Sequence, residues 1–171
     1  ADEYFQTAAI DALITILRDP ALSTHHHAVI EAIMYMFKTQ GLHCVVFLPQ
    51  IIPAFLGVIR TCGNGLSEFY YQQLAILIGI IKQHVRNYLG DIFALVQEDW
   101  NTNSNIQHTI VALMEAVARA LDGEFKTYLP LILPNLLQTL EGEVTPKRRP
   151  TMLRILGSLT VFGASLEEYM H

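Results

Sequence analysis

The stretch from Phe125 to Leu140 reads FKTYLPLILPNLLQTL, and it reveals the period of the whole chain. It contains Tyr128-Leu129-Pro130, followed by apolar residues and a second proline. A close copy lies upstream as FLPQIIP at 47–53, a degenerate copy as YLGDIF at 88–93, and a fourth begins as YMH at 169–171. Each copy starts with an aromatic residue, at positions 47, 88, 128 and 169, so the sequence repeats about every 40 residues.

A period near 40 residues in helical sequence is typical of HEAT and armadillo repeats, in which each repeat contains a pair of packed helices. Such a pair cannot bury its apolar face alone and therefore stacks on its neighbours. Apolar residues recur at helical spacing along the chain, and no interval alternates for long with a period of two. We therefore predict an all-α fold, a right-handed α-solenoid of HEAT/armadillo-like helical hairpins.

Turn-forming segments between the apolar stripes give the expected boundaries. Examples are Asp19-Pro20, the sequence TCGNG at 61–65, and the polar segments 101–105 and 142–144. We predict one HEAT-repeat segment composed of a second helix over 2–18, full repeats over 24–60, 66–100 and 105–141, and a partial repeat over 145–171. Because the last repeat is incomplete, we expect the chain to be part of a longer protein.

Helical spacing also predicts individual helices and their buried faces. The expected helices cover 2–18, a span from a cap at Ser23 or Thr24 to Gly41, then 45–60, 67–85, 86–100, 106–121, and a span from Thr145-Pro146 to Gly163. On the helix of the opening stretch, Leu129, Leu133 and Leu137 should be core residues, because positions i, i+4 and i+8 share a face. Similar stripes include Phe5, Leu13 and Leu17 near the start, and Met152, Leu153, Leu156 and Phe162 near the end.

Composition limits the possible partners of the chain. Its 171 residues are 51% hydrophobic and carry a formal net charge of −5. Nucleic-acid binding is not expected, since it requires a concentrated basic surface. Charged residues such as Arg60, Lys82 and Arg119 interrupt the apolar runs, so we expect buried helices and no transmembrane segment. The two cysteines, Cys44 and Cys62, are too few for a disulfide framework or a four-cysteine metal site.

The sequence contains no recognisable catalytic, cofactor-binding or metal site. The kinase motifs G-x-G-x-x-G, H-R-D and D-F-G are all absent from the sequence. The chain therefore contains none of the motifs with which kinases bind ATP and its metal ions. The run His25-His26-His27 raises the alternative of a small metal-dependent enzyme, with His43 and Cys44 as further ligands. Consecutive helical residues point about 100° apart, which favours capping or solvated roles. Cys62 and the acid pairs Glu98-Asp99 and Glu167-Glu168 show no activating or catalytic arrangement.

One cluster of charged residues is a candidate for partner binding. Lys147, Arg148 and Arg149 follow Pro146 in the predicted first turn of a helix, where the macrodipole disfavours cations. Glu141 and Glu143 could offset this cost locally. The alternative is an acidic partner surface, so these three cations are the candidate partner-binding residues.

Several segments together resemble the HEAT region of the target-of-rapamycin kinases, which belong to the phosphatidylinositol-3-kinase-related family. The residues that carry the resemblance are ILRDPALSTHH at 16–26, GLHCV at 41–45, FLPQ at 47–50, FL at 55–56, VIR at 58–60, GEFK at 123–126, YLP at 128–130, FGA at 162–164 and YMH at 169–171. The likeness extends over nearly the whole chain, whereas the spacing alone indicates only an α-solenoid.

This resemblance implies a non-catalytic scaffold segment of a serine/threonine kinase that controls growth in response to nutrients. The kinase domain would lie elsewhere in the parent protein. The implied partners are a Raptor-like subunit and a second kinase protomer, in the cytoplasm or at a lysosomal or vacuolar membrane surface. No cofactor is implied. A HEAT scaffold of another system, such as a nuclear transport receptor or a phosphatase scaffold, is the alternative.

We predict that the isolated chain self-associates or frays at its termini. Its first helix and its last helix each lack the neighbour that the repeat pattern supplies elsewhere, and exposed apolar patches of that size favour association. Light scattering should detect species larger than a monomer, and hydrogen exchange should be faster in the terminal helices than in 106–121. A strictly monomeric chain with equally protected termini would contradict the repeat boundaries.

Overall fold

The computed structural model describes residues 2–142 and 145–163. Every regular element in these two ranges is helical, which confirms the all-α prediction. Glu143, Glu167-Glu168 and the fourth copy of the repeated motif at 169–171 lie outside the described residues. The chain divides into two compact units, unit 1 over Ala1–Ser67 and unit 2 over Glu68–His171.

The described residues form eight α-helices joined by short 3₁₀ segments. The α-helices are α1 Asp2–Arg18, α2 His26–Gln40, α3 Leu48–Thr61, α4 Asn64–Ile81, α5 Leu89–Thr102, α6 Gln107–Leu121, α7 Leu129–Glu141 and α8 Arg149–Val161. The 3₁₀ segments are Pro20–His25, Gly41–Phe47, Lys82–Tyr88, Ser104–Ile106 and Asp122–Tyr128.

Three of the 3₁₀ segments, which we call the connectors, have seven residues each and share one backbone design. Each connector begins with a residue of positive φ, which is +56° at Gly41, +53° at Lys82 and +51° at Asp122. The fourth residue of each connector is fully buried, and each connector leads into an α-helix that starts with a buried leucine. The equivalent positions are 41, 82 and 122, so the backbone repeats with the period of the sequence.

Each unit has its own apolar core. In unit 1, α1 packs against α2 and α3, and its buried stripe is Ile10, Ile14 and Leu17. The predicted stripe was wrong at Phe5, whose side chain is 68% exposed. In unit 2, α6 packs most extensively against α8, and the rings of Phe125 and Phe162 stack with their centroids 5.1 Å apart.

Two other predicted faces need correction. Leu129 and Leu133 are buried as expected, but Leu137 is 47% exposed, because the buried face of α7 continues through Ile132, Leu136 and Thr139. Along α8 and directly after it, Met152 and Phe162 are buried as predicted, but Leu153 and Leu156 are more than half exposed. The buried stripe is completed by Ile155 and Ser158. Every residue of that stripe is three or four positions from the next, which is the helical spacing.

Several helix boundaries also differ from those predicted. Helix α4 begins at Asn64, inside the turn-forming segment predicted at 61–65. It ends at Ile81, because the positive φ of Lys82 cannot continue an α-helix. The cap expected at Ser23 or Thr24 is not formed, because α2 has His25 at its N-cap position and no side-chain cap hydrogen bond. Asp19 instead caps the 3₁₀ segment Pro20–His25, where its carboxylate accepts a hydrogen bond of 2.9 Å from the Ala21 N–H. Both helices expected to start at 45 and 86 begin three residues later, after a connector.

The helical stretch Pro20–Thr61 is long enough and apolar enough to cross a membrane. It contains 42 residues, but the positive φ of Gly41 interrupts it and neither α-helix within it exceeds 15 residues. A continuous span requires about 20 helical residues. Within its most apolar 18-residue segment, 56% is buried inside the protein. These features favour core helices.

We predict that Asp122→Gly stabilises the protein. At φ +51° and ψ −123°, Asp122 occupies a region that side chains bearing a Cβ avoid, so removing the Cβ should raise the free energy of unfolding by roughly 1 kcal/mol. Gly41→Ala is the matched control. No heavy atom lies within 4 Å of the Cβ that it would add, so its expected destabilisation comes from φ alone. Urea denaturation measures both changes, and equal midpoints for all three proteins would contradict the shared backbone design.

Candidate interaction site

The turn between α7 and α8, in unit 2, positions the three candidate cations. The described part of this turn runs from Thr145 to Arg148, and α8 begins at Arg149 rather than directly after Pro146. Thr145 caps it as predicted, since its Oγ1 accepts a hydrogen bond of 3.2 Å from the Arg148 N–H. The Thr145 carbonyl also accepts a bond of 2.9 Å from the Arg149 N–H. The turn is therefore held mainly through one residue.

The guanidinium of Arg148 folds back onto the end of α7. It donates a hydrogen bond to the Thr139 carbonyl in the last turn of that helix. It also lies close to Gly142, and a Cβ there would displace the guanidinium from its present position. The C-terminal end of a helix carries partial negative charge. The Thr139 carbonyl is therefore a partner of Arg148 that the sequence interpretation did not include.

Lys147 and Arg148 line a cleft of about 340 Å³. The remaining lining residues are neutral and polar: Ser104, Gln107, Thr139, Thr145 and Thr151. Two cations beside four hydroxyl groups and an amide form a lining suited to carboxylate or phosphate oxygens, because cations and hydroxyl donors both hydrogen-bond anions. The cleft contains no carboxylate among these lining residues, so it can accept an anionic group.

The side chains of Lys147 and Arg149 are exposed beside this cleft. Within 2–142 and 145–163, neither forms an ion pair with a carboxylate. Lys147 and Arg148 lie in the turn itself, and Arg149 is the first residue of α8. Two of them present their charge to solvent, and the third is anchored to α7.

The histidine run is dispersed by the helix that carries it. His26 is buried, and its Nε2 lies 2.8 Å from the Ile16 carbonyl and 3.1 Å from the Asp19 carbonyl, so it caps the end of α1. His27 instead pairs with Glu31, with Nδ1 and Oε1 2.6 Å apart. Among the described residues, no three potential ligands are grouped to hold a metal ion. A capping role therefore accounts for the most buried of these imidazoles.

A buried carboxylate that the sequence interpretation missed lies in unit 2. Glu115 on α6 is 4% exposed, and its Oε2 lies 2.9 Å from a guanidinium nitrogen of Arg154 on α8 and 3.8 Å from one of Arg119. Glu115 is buried whereas the Arg154 side chain is 46% exposed, and losing this cation would leave a buried carboxylate without one of its partners. This pair therefore ties α8 to α6.

Other polar contacts in unit 2 also join residues about one period apart. Arg86 and Glu124 form a two-bond ion pair of 2.8 and 2.7 Å, and His108 lies 3.2 Å from Glu68. The sequence separations are 38 and 40, and that of Glu115 and Arg154 is 39. Opposite charges one period apart were thus a signal that could have located these contacts from the sequence.

The sequence is similar to known protein kinases. A family model described as the serine/threonine-protein kinase mTOR domain matches residues 1–82. The chain is 43% identical over 169 residues to the serine/threonine-protein kinase mTor of Drosophila melanogaster. It is 44% identical over 170 residues to the serine/threonine-protein kinase TOR2 of Saccharomyces cerevisiae, and 35% identical over 178 residues to the kinase TOR of Arabidopsis thaliana.

These similarities cover nearly all of the chain but little of each relative. The alignments include 99% of the chain for the fly and yeast proteins and 100% for the plant protein. The chain spans 7% of the length of each of these relatives.

We predict that the two cysteines differ in reactivity. Cys44 is fully buried and desolvation raises the pKa of its thiol, whereas Cys62 is partly exposed. Because the thiolate is the reactive form, a maleimide near pH 8 should modify Cys62 at least about tenfold faster than Cys44. Mass spectrometry of digested protein measures both rates. In urea the two rates should converge, and equal rates in the native protein would contradict the burial of Cys44.

Proposed function

We propose a function from one premise: this chain belongs to the target-of-rapamycin family of serine/threonine-protein kinases. It corresponds to a small part of these proteins, and we infer that this part is a non-catalytic scaffold segment. In this proposal the kinase domain lies elsewhere in the parent protein, which controls growth in response to nutrients. A scaffold of a nuclear transport receptor or a phosphatase has no specific observation in its favour.

The observation that carries the scaffold proposal is the recurrence of contacts one period apart in unit 2. Ion pairs and a stacked aromatic pair each join residues 37 to 40 positions apart. Contacts of this kind transmit the orientation of one helical pair to the next, as expected for stacked repeats. A segment of this design supports function by fixing distances and by displaying surfaces, as in the predicted α-solenoid.

The surface that we propose for a partner is the cationic turn, defined as Lys147, Arg148 and Arg149. Its cleft can accept a carboxylate, and exposed cations speed association with acidic surfaces. The resemblance to target-of-rapamycin kinases supplies two partner proposals, a Raptor-like subunit and a second kinase protomer. We propose that an acidic segment of one of them contacts the cationic turn, within a cytoplasmic complex that can reach a lysosomal or vacuolar membrane surface.

We predict that the double variant Lys147→Glu, Arg149→Glu weakens complex assembly by the full-length kinase. Both side chains are exposed, so the change reverses surface charge without emptying the core. Loss of two favourable charge contacts and introduction of two repulsive ones should reduce recovery of the partner at least about tenfold. Co-purification of the Raptor-like subunit and of a differently tagged second protomer measures the effect.

A matched variant, Lys38→Glu with Lys82→Glu, changes the net charge equally at two exposed lysines elsewhere. It should leave co-purification unchanged. Activity of the kinase on a short peptide substrate should be unchanged in both variants, because the segment is proposed to be non-catalytic. Equal recovery of both partners with the two variants would overturn the cationic turn as an interaction surface.

A further inference from the structure

Thr145 has a sequence context shared by no other hydroxyl residue in the chain. The sequence contains seven prolines, and only Pro146 follows a serine or threonine. The residues that precede the other six are Asp19, Leu48, Ile52, Leu129, Leu133 and Arg149. The segment therefore reads Thr145-Pro146-Lys147-Arg148-Arg149, with a basic side chain three positions after the threonine.

This pattern matches what a proline-directed protein kinase reads in its substrates. Proline has no backbone N–H, so a kinase pocket that cannot satisfy an N–H at that position selects it. A cation three positions after the hydroxyl can pair with acidic groups of the kinase or with a phosphate on the kinase itself. We propose that Thr145 is phosphorylated by a proline-directed serine/threonine kinase.

The structure places Thr145 where another kinase can reach it. Pro146, Lys147 and Arg149 are exposed, and Thr145 itself is partly exposed. The turn is held by hydrogen bonds to Thr145 from the N–H groups of Arg148 and Arg149, and by the bond from the Arg148 guanidinium to the Thr139 carbonyl. Opening one exposed turn costs far less than unfolding a helix. The segment can therefore extend into a kinase cleft while α7 and α8 stay folded.

The reaction transfers the γ-phosphoryl group of ATP to the Thr145 Oγ1. The bond between the γ-phosphorus and the oxygen that bridges it to ADP breaks, and a new bond forms between that phosphorus and Oγ1. The hydroxyl proton passes to the base of the modifying kinase and then to solvent, and ADP leaves. ATP and the second kinase are the co-reactants.

The site is built to stabilise the phosphorylated form. Oγ1 already accepts a hydrogen bond from the Arg148 N–H, and the first turn of α8 follows, with its partial positive charge. Thr145 lines the same cleft as Lys147 and Arg148. A phosphate group adds nearly two negative charges and strong acceptor oxygens, which favour a helix start and nearby cations. Phosphorylation should therefore order the turn rather than disrupt it.

The consequence for partners rests on the function proposed above. A phosphate on Thr145 would offset about two of the three positive charges of the cationic turn and occupy the cleft that an acidic segment would enter. Phosphorylation at Thr145 would then release the partner. The phosphorylation itself does not depend on this consequence.

The first experiment incubates the full 171-residue chain with a cyclin-dependent kinase and ATP, and locates the phosphate by mass spectrometry of tryptic peptides. We expect about one phosphate per chain, on Thr145, and none in Thr145→Ala. Pro146→Ala and Arg148→Gln should each lower the initial rate about tenfold, as loss of one recognition contact does. Phosphate on another residue, or no phosphate, overturns the proposal.

Arg149→Gln is the matched control, because it removes the same charge one position beyond the expected contact. Its initial rate of phosphorylation should equal that of the parent chain. A tenfold loss in Arg149→Gln would show that the kinase responds to the overall positive charge and not to a cation at the third position after Thr145. Because Arg148→Gln also removes the bond to the Thr139 carbonyl, helicity is measured for every variant. Pro146→Ala retains that bond and tests recognition independently.

A second experiment measures the effect of the phosphate on the folded chain. The thermal midpoint of the phosphorylated chain should rise by a degree or more, and less so in Lys147→Gln. A lower thermal midpoint after phosphorylation would contradict the proposal that the phosphate binds in the cleft. In the full-length kinase, treatment with the cyclin-dependent kinase and ATP should lower partner recovery by the parent protein. The same treatment should leave recovery by Thr145→Ala unchanged, each protein being compared with its own untreated sample. If the chain is phosphorylated but partner recovery is unchanged, the interaction proposal fails and the modification site stands.

Discussion

A single backbone geometry, repeated at Gly41, Lys82 and Asp122, stops an α-helix and starts the connector that leads to the next one. Positive φ cannot extend an α-helix, so each first helix ends there, and the seven residues that follow return the chain. The fourth residue of each connector, Cys44, Val85 or Phe125, is completely buried and anchors the return. Helix pairing within each unit depends on this geometry.

Contacts one period apart build on that repeated return. In unit 2 the buried carboxylate of Glu115 meets Arg154, and the ring of Phe125 stacks on that of Phe162. These pairs join successive helical pairs by charge and by aromatic area. Burial strengthens them, because both rings and the Glu115 carboxylate are shielded from competing solvent, although the Arg154 side chain is 46% exposed. The exposed pair of Arg86 and Glu124 contributes less for the same reason.

The turn after α7 combines structural and functional demands. Arg148 closes the end of α7 and lines the cleft, whereas Lys147 and Arg149 remain at the surface. A site that depends on one anchored cation and two exposed ones can hold its shape while its net charge changes. This separation is what makes the turn a suitable place for both partner contact and phosphorylation.

The sequence by itself determined the all-α class, the 40-residue period and the family, because these depend on local helical spacing and on residues at fixed positions. It also located the Thr145 cap and the cluster of cations, since both are local. The tertiary structure decided which side of each helix is buried: Leu137, Leu153 and Leu156 are apolar but exposed, and Ser158 is polar but buried. Helical periodicity cannot decide this on a helix that is apolar on several sides, as α7 and α8 are.

Two non-glycine residues at positive φ were likewise unpredictable from composition, because the connector imposes that backbone on whichever side chain occupies the position. Opposite charges one period apart mark candidate contacts in the sequence, but the folded chain decided which of them form, because the burial of Glu115 comes from packing between helices.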